Sequence, residues 1–314
     1  FSPKYPPWKR ATMDSSVADF VSRRVEERLI SGPGRRTNPQ GAHVIEWFDP
    51  AQPSVPAVSP KDLTRVKGLL SGRMAERRVE IVCRGIDARI QLVQGPPGTG
   101  KTTLTASALL MRALEGKRTG VILVSANTHT AVDTLLEKTA QTLAAWPELQ
   151  DLLRAEGRAV EFFKIGGEAK PDSVVSHLPT RRADENALKD KFNSMARAGS
   201  IAVIGGTTGG VLKFASTVGT GLEEARGTGL LTSLLVIDEA SMMPFAHFLA
   251  LSSHVHPDGQ IMLAGDHRQL SPIVAHDWAR EDRPPAVLYQ PHVSAFAAID
   301  ALGARISTLP RSAA

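Results

Sequence analysis

An apolar stretch, Ile90 to Gln94, runs directly into Gly95-Pro-Pro-Gly-Thr-Gly-Lys-Thr102, and a helical pattern follows from Thr102 to Glu115. A full GxxxxGK[ST] match set between a strand and a helix commits a chain to an α/β fold, because the loop only works where a strand end meets a helix N-terminus. Glycine lets backbone N–H groups close around a phosphate without Cβ clashes, and the helix adds the positive end of its dipole. Gly95, Pro96, Pro97, Gly98, Thr99, Gly100, Lys101, Thr102 and Thr103 are therefore the expected nucleotide-binding residues. Lys101 is placed to reach the β- and γ-phosphates of ATP, and the Thr102 hydroxyl to ligate Mg2+.

The rest of the sequence agrees with that architecture. Short β-rich runs at Ile90 to Gln94, Gly120 to Ser125, Val160 to Ile165, Ile201 to Gly205, Leu234 to Ile237 and Ile261 to Ala264 alternate with helical patterns at Thr102 to Glu115, Ala131 to Trp146 and Arg181 to Ala198. Such alternation predicts βαβ units and a mostly parallel sheet flanked by helices, around the P-loop. One of the strands, Leu234-Leu-Val-Ile, ends in Asp238-Glu239. Two carboxylates at the end of a buried strand are costly unless a cation uses them. Downstream of a phosphate loop they read as a Mg2+ holder, Asp238, and as the residue that orients or deprotonates the attacking water, Glu239.

Charge separates the N-terminal part from the remainder. Residues 1–94 hold 16 Lys and Arg against 10 Asp and Glu, whereas the remaining 220 residues hold 21 against 22. Basic pairs at Arg23-Arg24, Arg35-Arg36 and Arg77-Arg78 could face a polyanion. Proline at nine of the first 60 positions interrupts helices and ladders there, apart from one amphipathic pattern at about Asp14 to Ile30. The expected division is a basic, Pro-rich extension or accessory subdomain at 1–66 and an ATPase domain at 67–314, with a helical insertion at about 145–199. No apolar run approaches the ~18 residues of a membrane span. The single cysteine, Cys83, excludes an internal disulfide, and a cytoplasmic setting is expected. His247, His254 and His256 lack the spacing and the cysteines of a zinc site.

Three further segments, in order along the chain, resemble motifs of the first RecA-like domain of superfamily 1 helicases, in the branch of the nonsense-mediated-decay helicase and the replication helicase-nuclease. Ser125-Ala-Asn-Thr-His129-Thr-Ala-Val-Asp133 resembles the motif in which a strand end touches the nucleic acid backbone. Gly206-Thr207-Thr-Gly-Gly210 resembles the threonine motif that contacts another phosphate, and Gly265-Asp-His-Arg-Gln269 resembles the third ATPase motif, whose Gln lies near the γ-phosphate. The resemblance covers about residues 90–312 and makes the expected sheet that of a RecA-like P-loop domain. It implies a nucleic-acid-dependent ATPase that translocates on, and unwinds, DNA or RNA with 5′-to-3′ movement. Thr128, His129 and Thr207 would contact single-stranded nucleic acid, and Gln269 would complete the nucleotide site.

The chain departs from that pattern in places. Family members usually read adenine with a Gln upstream of the phosphate loop, whereas Met74 to Val79 contains Glu76, Arg77 and Arg78 and no Gln. Met242 stands where many relatives have Gln, and Pro310 where an aromatic residue is common. The chain begins at Phe1 and stops three residues after Arg311, so it reads as a fragment without the second RecA-like domain against which the nucleotide is closed. Arg311 is the one candidate for a charge-stabilising arginine, and the isolated piece is expected to bind nucleotide weakly, hydrolyse it slowly and unwind nothing. The competing class is a P-loop switch or an AAA-type assembly ATPase acting on protein.

Overall fold

The computed structural model describes residues 44, 47, 63–116, 120–166, 173–178, 185–222, 232–266, 272, 293–305 and 311–313. Two helices come first, α1 (Leu63–Leu70) and α2 (Glu76–Ile86), followed by β1 (Ile90–Gln94) and α3 (Lys101–Glu115). Next are β2 (Gly120–Ala126), α4 (His129–Ala144), α5 (Pro147–Ala155), β3 (Val160–Ile165) and β4 (Ser176–Leu178). The chain continues through α6 (Glu185–Arg197), β5 (Ile201–Thr207), α7 (Thr208–Leu222) and β6 (Thr232–Ile237). Last come α8 (Phe245–Ser252), β7 (Val255–Gly265), α9 (Ala295–Arg305) and β8 (Arg311–Ala313).

The eight strands form one sheet in the order β4-β3-β5-β2-β6-β7-β1-β8, and every pairing between neighbours is parallel. This is the RecA-like arrangement expected. Alternate residues of the central strands go to opposite faces: Leu123, Ile204, Leu235 and Leu263 join one buried cluster, and Ile122, Val124, Val203, Val236 and Met262 the other. Burial on both faces explains why these strands read as continuous apolar runs rather than as alternating ones.

Parallel pairing puts the C-terminal ends of all the strands on one edge of the sheet, where ligands of open α/β sheets bind. The phosphate loop leaves β1 there, and the Asp238-Glu239 turn leaves β6, two strands away across β7. The helix behind the loop is buried almost throughout, from Leu104 to Glu115. Its small residues, Thr105, Ala106, Ser107 and Ala108, allow close contact with the sheet and with α2 and α4. Its two buried charged residues have internal partners: Arg112 donates to Gly85 O at 2.6 Å and to Gln91 Oε1 at 2.5 Å, and Glu115 accepts from Arg65 Nε at 2.8 Å. Desolvation lowers the Arg112 pKa to about 10.

Several expectations need correction. The stretch at 145–199 is not a helical insertion, because it supplies β3 and β4, the edge of the main sheet beside β5. A boundary at 66/67 falls inside α1, whose Val66 and Leu70 are buried in the core. Val44 and Trp47, from the stretch read as an extension, are also core residues, and the Arg89 guanidinium lies 4.7 Å from the Trp47 ring centroid. The amphipathic pattern at Asp14 to Ile30 and the pairs Arg23-Arg24 and Arg35-Arg36 lie outside the described residues. Among the described residues, no helix is long and apolar enough to cross a membrane.

Candidate nucleotide site and nucleic-acid face

The loop is built as its glycines require. Gly98 and Gly100 both have φ +79°, a left-handed conformation that side chains rarely adopt. Gly100 is constrained a second time, because a Cβ there would stand 3.1 Å from the Arg78 guanidinium. That guanidinium reaches over from α2 and donates to Thr99 O at 2.6 Å. Thr99 Oγ1 donates to Pro96 O at 2.8 Å, so a local turn also shapes the loop. Gly100 then accepts from Leu104 N–H at 3.0 Å to begin α3. Lys101 Nζ bends back onto the loop, donating to Gly95 O and, at 3.1 Å, to Pro96 O. Pro96, Pro97 and Gly98 are exposed, while Thr99, Gly100, Lys101, Thr102 and Thr103 are half-buried at the mouth of the helix.

The carboxylate turn meets the same edge. Asp238 is 6% exposed. Burial raises its pKa to about 6; the Glu239 charge pushes in the same direction, and the Glu239 N–H and the positive charge of Lys101 oppose it. Glu239 N–H donates to Asp238 Oδ1 at 3.0 Å. Glu239 itself has φ +52° and is the one non-glycine residue with positive φ among the described residues. Strain of that kind costs about 1–3 kcal/mol and survives where neighbours hold the backbone, which is common at working sites.

β7 ties the two loops together. Gly95 N–H donates to Gly265 O at 3.2 Å, and Ala240 N–H donates to Ala264 O at 2.9 Å, so both turns are anchored to one strand end. Gly265 must be glycine for reasons of space, since a Cβ there would lie 2.9 Å from the Phe296 ring and 3.1 Å from Ser241 N. The next residue, Asp266, is buried. Gln269, three residues on, lies outside the described residues. The donor set on this edge, an aspartate carboxylate and a threonine hydroxyl beside a lysine and a helix N-terminus, is hard oxygen chemistry plus cations. It suits Mg2+ with a polyphosphate.

The helicase-like segments end on the same edge. Thr128 caps α4, its Oγ1 accepting from Ala131 N–H at 3.1 Å. Asn127, Thr128 and His129 are exposed, and Thr207 is half-buried at the end of β5. In register, Ala126 of β2 is opposite Thr207 of β5, which brings the two segments side by side. Gly206 and Thr207 finish β5, while Thr208, Gly209 and Gly210 form the first turn of α7 instead of a loop. Gly is a poor helix former, but burial of Val211, Leu212, Phe214 and Ala215 carries the helix.

Two hydrogen bonds join this face to the carboxylate turn. Asp238 N–H donates to Ser125 O at 2.9 Å, and Asn127 Nδ2 donates to Met242 O at 3.0 Å. The Asn127 and Arg78 contacts are not signalled in the sequence: Asn127 lies within the Ser125 to Asp133 motif without a role of its own, and Arg78 reads only as one of a basic pair upstream of the loop. For Arg311 the register gives a definite place: β8 lies beside β1 with Arg311 opposite Leu92, three residues before the loop. It therefore belongs to the edge of this sheet and is not presented from an opposing lobe.

Comparison with known proteins agrees with these features. A family model described as an AAA domain (AAA_30) matches residues 80–282, a span that takes in the phosphate loop, the carboxylate turn and the end of β7. The chain is 27% identical over 191 residues to the DNA replication ATP-dependent helicase/nuclease DNA2 of Saccharomyces cerevisiae, covering 60% of this chain and 10% of that protein. It is 26% identical over 207 residues to Regulator of nonsense transcripts 1 of Caenorhabditis elegans, covering 59% of this chain and 17% of that protein. Among solved structures, the UvsW helicase from bacteriophage T4 matches with a TM-score of 0.39 at 15% identity, over 72% of this chain and 61% of that one. The chain thus spans only a small part of the length of these curated relatives. With a P-loop, a DE turn and a parallel sheet in the expected order, and a family match over well over half its length, the chain belongs to the AAA domain family.

Proposed function

We propose that this chain is the nucleotide-binding lobe of a nucleic-acid-dependent ATPase, a helicase or translocase motor. The observation that carries the reading is the pair of hydrogen bonds, Asp238 to Ser125 and Asn127 to Met242, that link the carboxylate turn to the strand end expected to touch nucleic acid. Occupancy of one surface then has a short mechanical route to the other.

In this reading Gly95 to Thr103 would cradle the phosphates of ATP, and Lys101 would turn from its loop carbonyls toward the terminal phosphates. Thr102 and Asp238 would hold Mg2+, which when bound screens the phosphate charge. Glu239, whose backbone is held at a positive φ just after β6, would position the attacking water and take its proton. Gln269 keeps its proposed place near the γ-phosphate on resemblance alone. Arg311 has no support from register as a charge-stabilising arginine, so that contribution is assigned to a second RecA-like lobe. Thr128, His129 and Thr207 would grip the backbone of single-stranded DNA or RNA. The Thr128 hydroxyl accepts from its own helix, which leaves its proton free to donate to a phosphate oxygen. On the base side, the residue from the Met74 to Val79 stretch that reaches the loop is Arg78, a cation where an amide is usual.

The alternative is an assembly ATPase that acts on protein, for which the family description gives some support. ATP turnover by the 314-residue chain separates the two when measured with single-stranded DNA, single-stranded RNA and an unfolded protein substrate. Stimulation by a nucleic acid is expected. Stimulation by unfolded protein alone would sink the motor reading.

A further inference from the structure

An ammonium group is buried inside the sheet face next to the proposed nucleic-acid contacts. Lys164, in the run Val160-Glu-Phe-Phe-Lys-Ile165 of β3, has a side chain 4% exposed and forms an ion pair with Asp133 Oδ1, whose side chain is 23% exposed. The alternation of β3 puts Phe162 in the cluster with Val132, Leu135, Leu136 and Ala140 of α4. Lys164 falls on that same face. Packing alone would be served by an apolar residue at this position, and desolvating a charge there is costly unless the pair is needed.

What the pair holds is the first turn of α4. Asp133 is four residues after His129, one turn along the same helical face. The end of β3 closes on that turn as well, since a Cβ on Gly166 would lie 3.6 Å from the His129 imidazole. An uncompensated carboxylate one turn from a phosphate contact would repel the strand that His129 and Thr128 are proposed to bind. We propose that Lys164 is a positioning residue for nucleic acid: it neutralises Asp133 and locks the first turn of α4 against β3, so that Thr128 and His129 face a phosphate without a competing negative charge. This rests on the nucleic-acid reading given above.

The test uses the 314-residue chain and a fluorescein-labelled single-stranded oligothymidylate, read by anisotropy at low and moderate salt. K164M should weaken binding by roughly tenfold, with the larger loss at low salt, because the bared carboxylate is screened as salt rises. K164R, which keeps the charge, should remain within about threefold of wild type. The double variant K164M/D133N should recover most of the loss, since it removes both charges together. Nucleotide affinity should be the same in all variants, because the loop on β1 and the turn on β6 do not touch this pair.

Wild-type binding of K164M, or no recovery in the double variant, would overturn the proposal and leave the nucleic-acid reading standing. If K164M does not fold, K164R decides: a loss of about tenfold or more in that variant, with nucleotide affinity intact, rules out charge neutralisation as the role. Failure of the wild-type chain to bind any single-stranded DNA or RNA overturns the underlying reading and this proposal with it.

Discussion

Asp238 carries the largest electrostatic cost at the proposed site. Its pKa is raised to about 6 in the folded chain against an unfolded value near 4, so the folded state binds more protons than the unfolded state between those values. The sign follows: folding is favoured by protonation of Asp238 at low pH, and that advantage is lost as pH rises through about 6. Replacing Asp238 with Asn should therefore stabilise the chain at pH 7.5, by up to about 3 kcal/mol for a two-unit shift, and by much less at pH 4. Urea unfolding at the two pH values measures this. Because Mg2+ needs the ionised carboxylate, Mg2+-dependent nucleotide binding should decline as pH falls below about 6. The neighbouring carboxylate behaves differently. Glu239→Gln should leave ATP affinity close to wild type and slow turnover by ~10²- to 10⁴-fold, the usual weight of a general base. Lys101→Ala should cut nucleotide affinity by about 10- to 100-fold, as loss of a charge-assisted contact. Equilibrium titration with a fluorescent ATP analogue and single-turnover hydrolysis distinguish the two roles.

At the scale of elements, legibility followed burial. Strands buried on both faces announced themselves as apolar runs, and β1 and β3 match their expected limits at Ile90 to Gln94 and Val160 to Ile165. The edge strands did not: β4 is Ser-His-Leu and β8 is Arg-Ser-Ala, three residues each, and neither carries a pattern until a neighbour pairs with it. The nucleotide loop was legible because its chemistry is local to eight consecutive residues. The contacts of Arg78, Asn127 and the Lys164–Asp133 pair were not, since each is made with a partner distant in sequence. α4 shows how two roles can share a residue. Thr128→Ala removes the N-cap of that helix and should lower stability by about 0.5–2 kcal/mol, while Thr128→Ser should keep it. Thermal or urea unfolding checks that cost separately from any change in strand affinity.

For the whole molecule, one strand end, that of β7, anchors both the phosphate loop and the carboxylate turn, and the proposed nucleic-acid face is bonded to the latter. In the proposed reading, nucleotide and single strand should then influence each other's binding within this chain. Strand binding through backbone contacts should also fall steeply with salt and depend little on sequence. The most direct measurement of the coupling uses the Glu239→Gln chain, which should hold ATP without consuming it. Its affinity for a fluorescent ATP analogue with Mg2+ is measured with and without saturating single-stranded oligonucleotide, and its affinity for the oligonucleotide with and without saturating nucleotide. The account predicts a change of at least about fivefold in both, equal in size because linkage is reciprocal. Two ligands that each bind, with neither altering the affinity of the other, would contradict it.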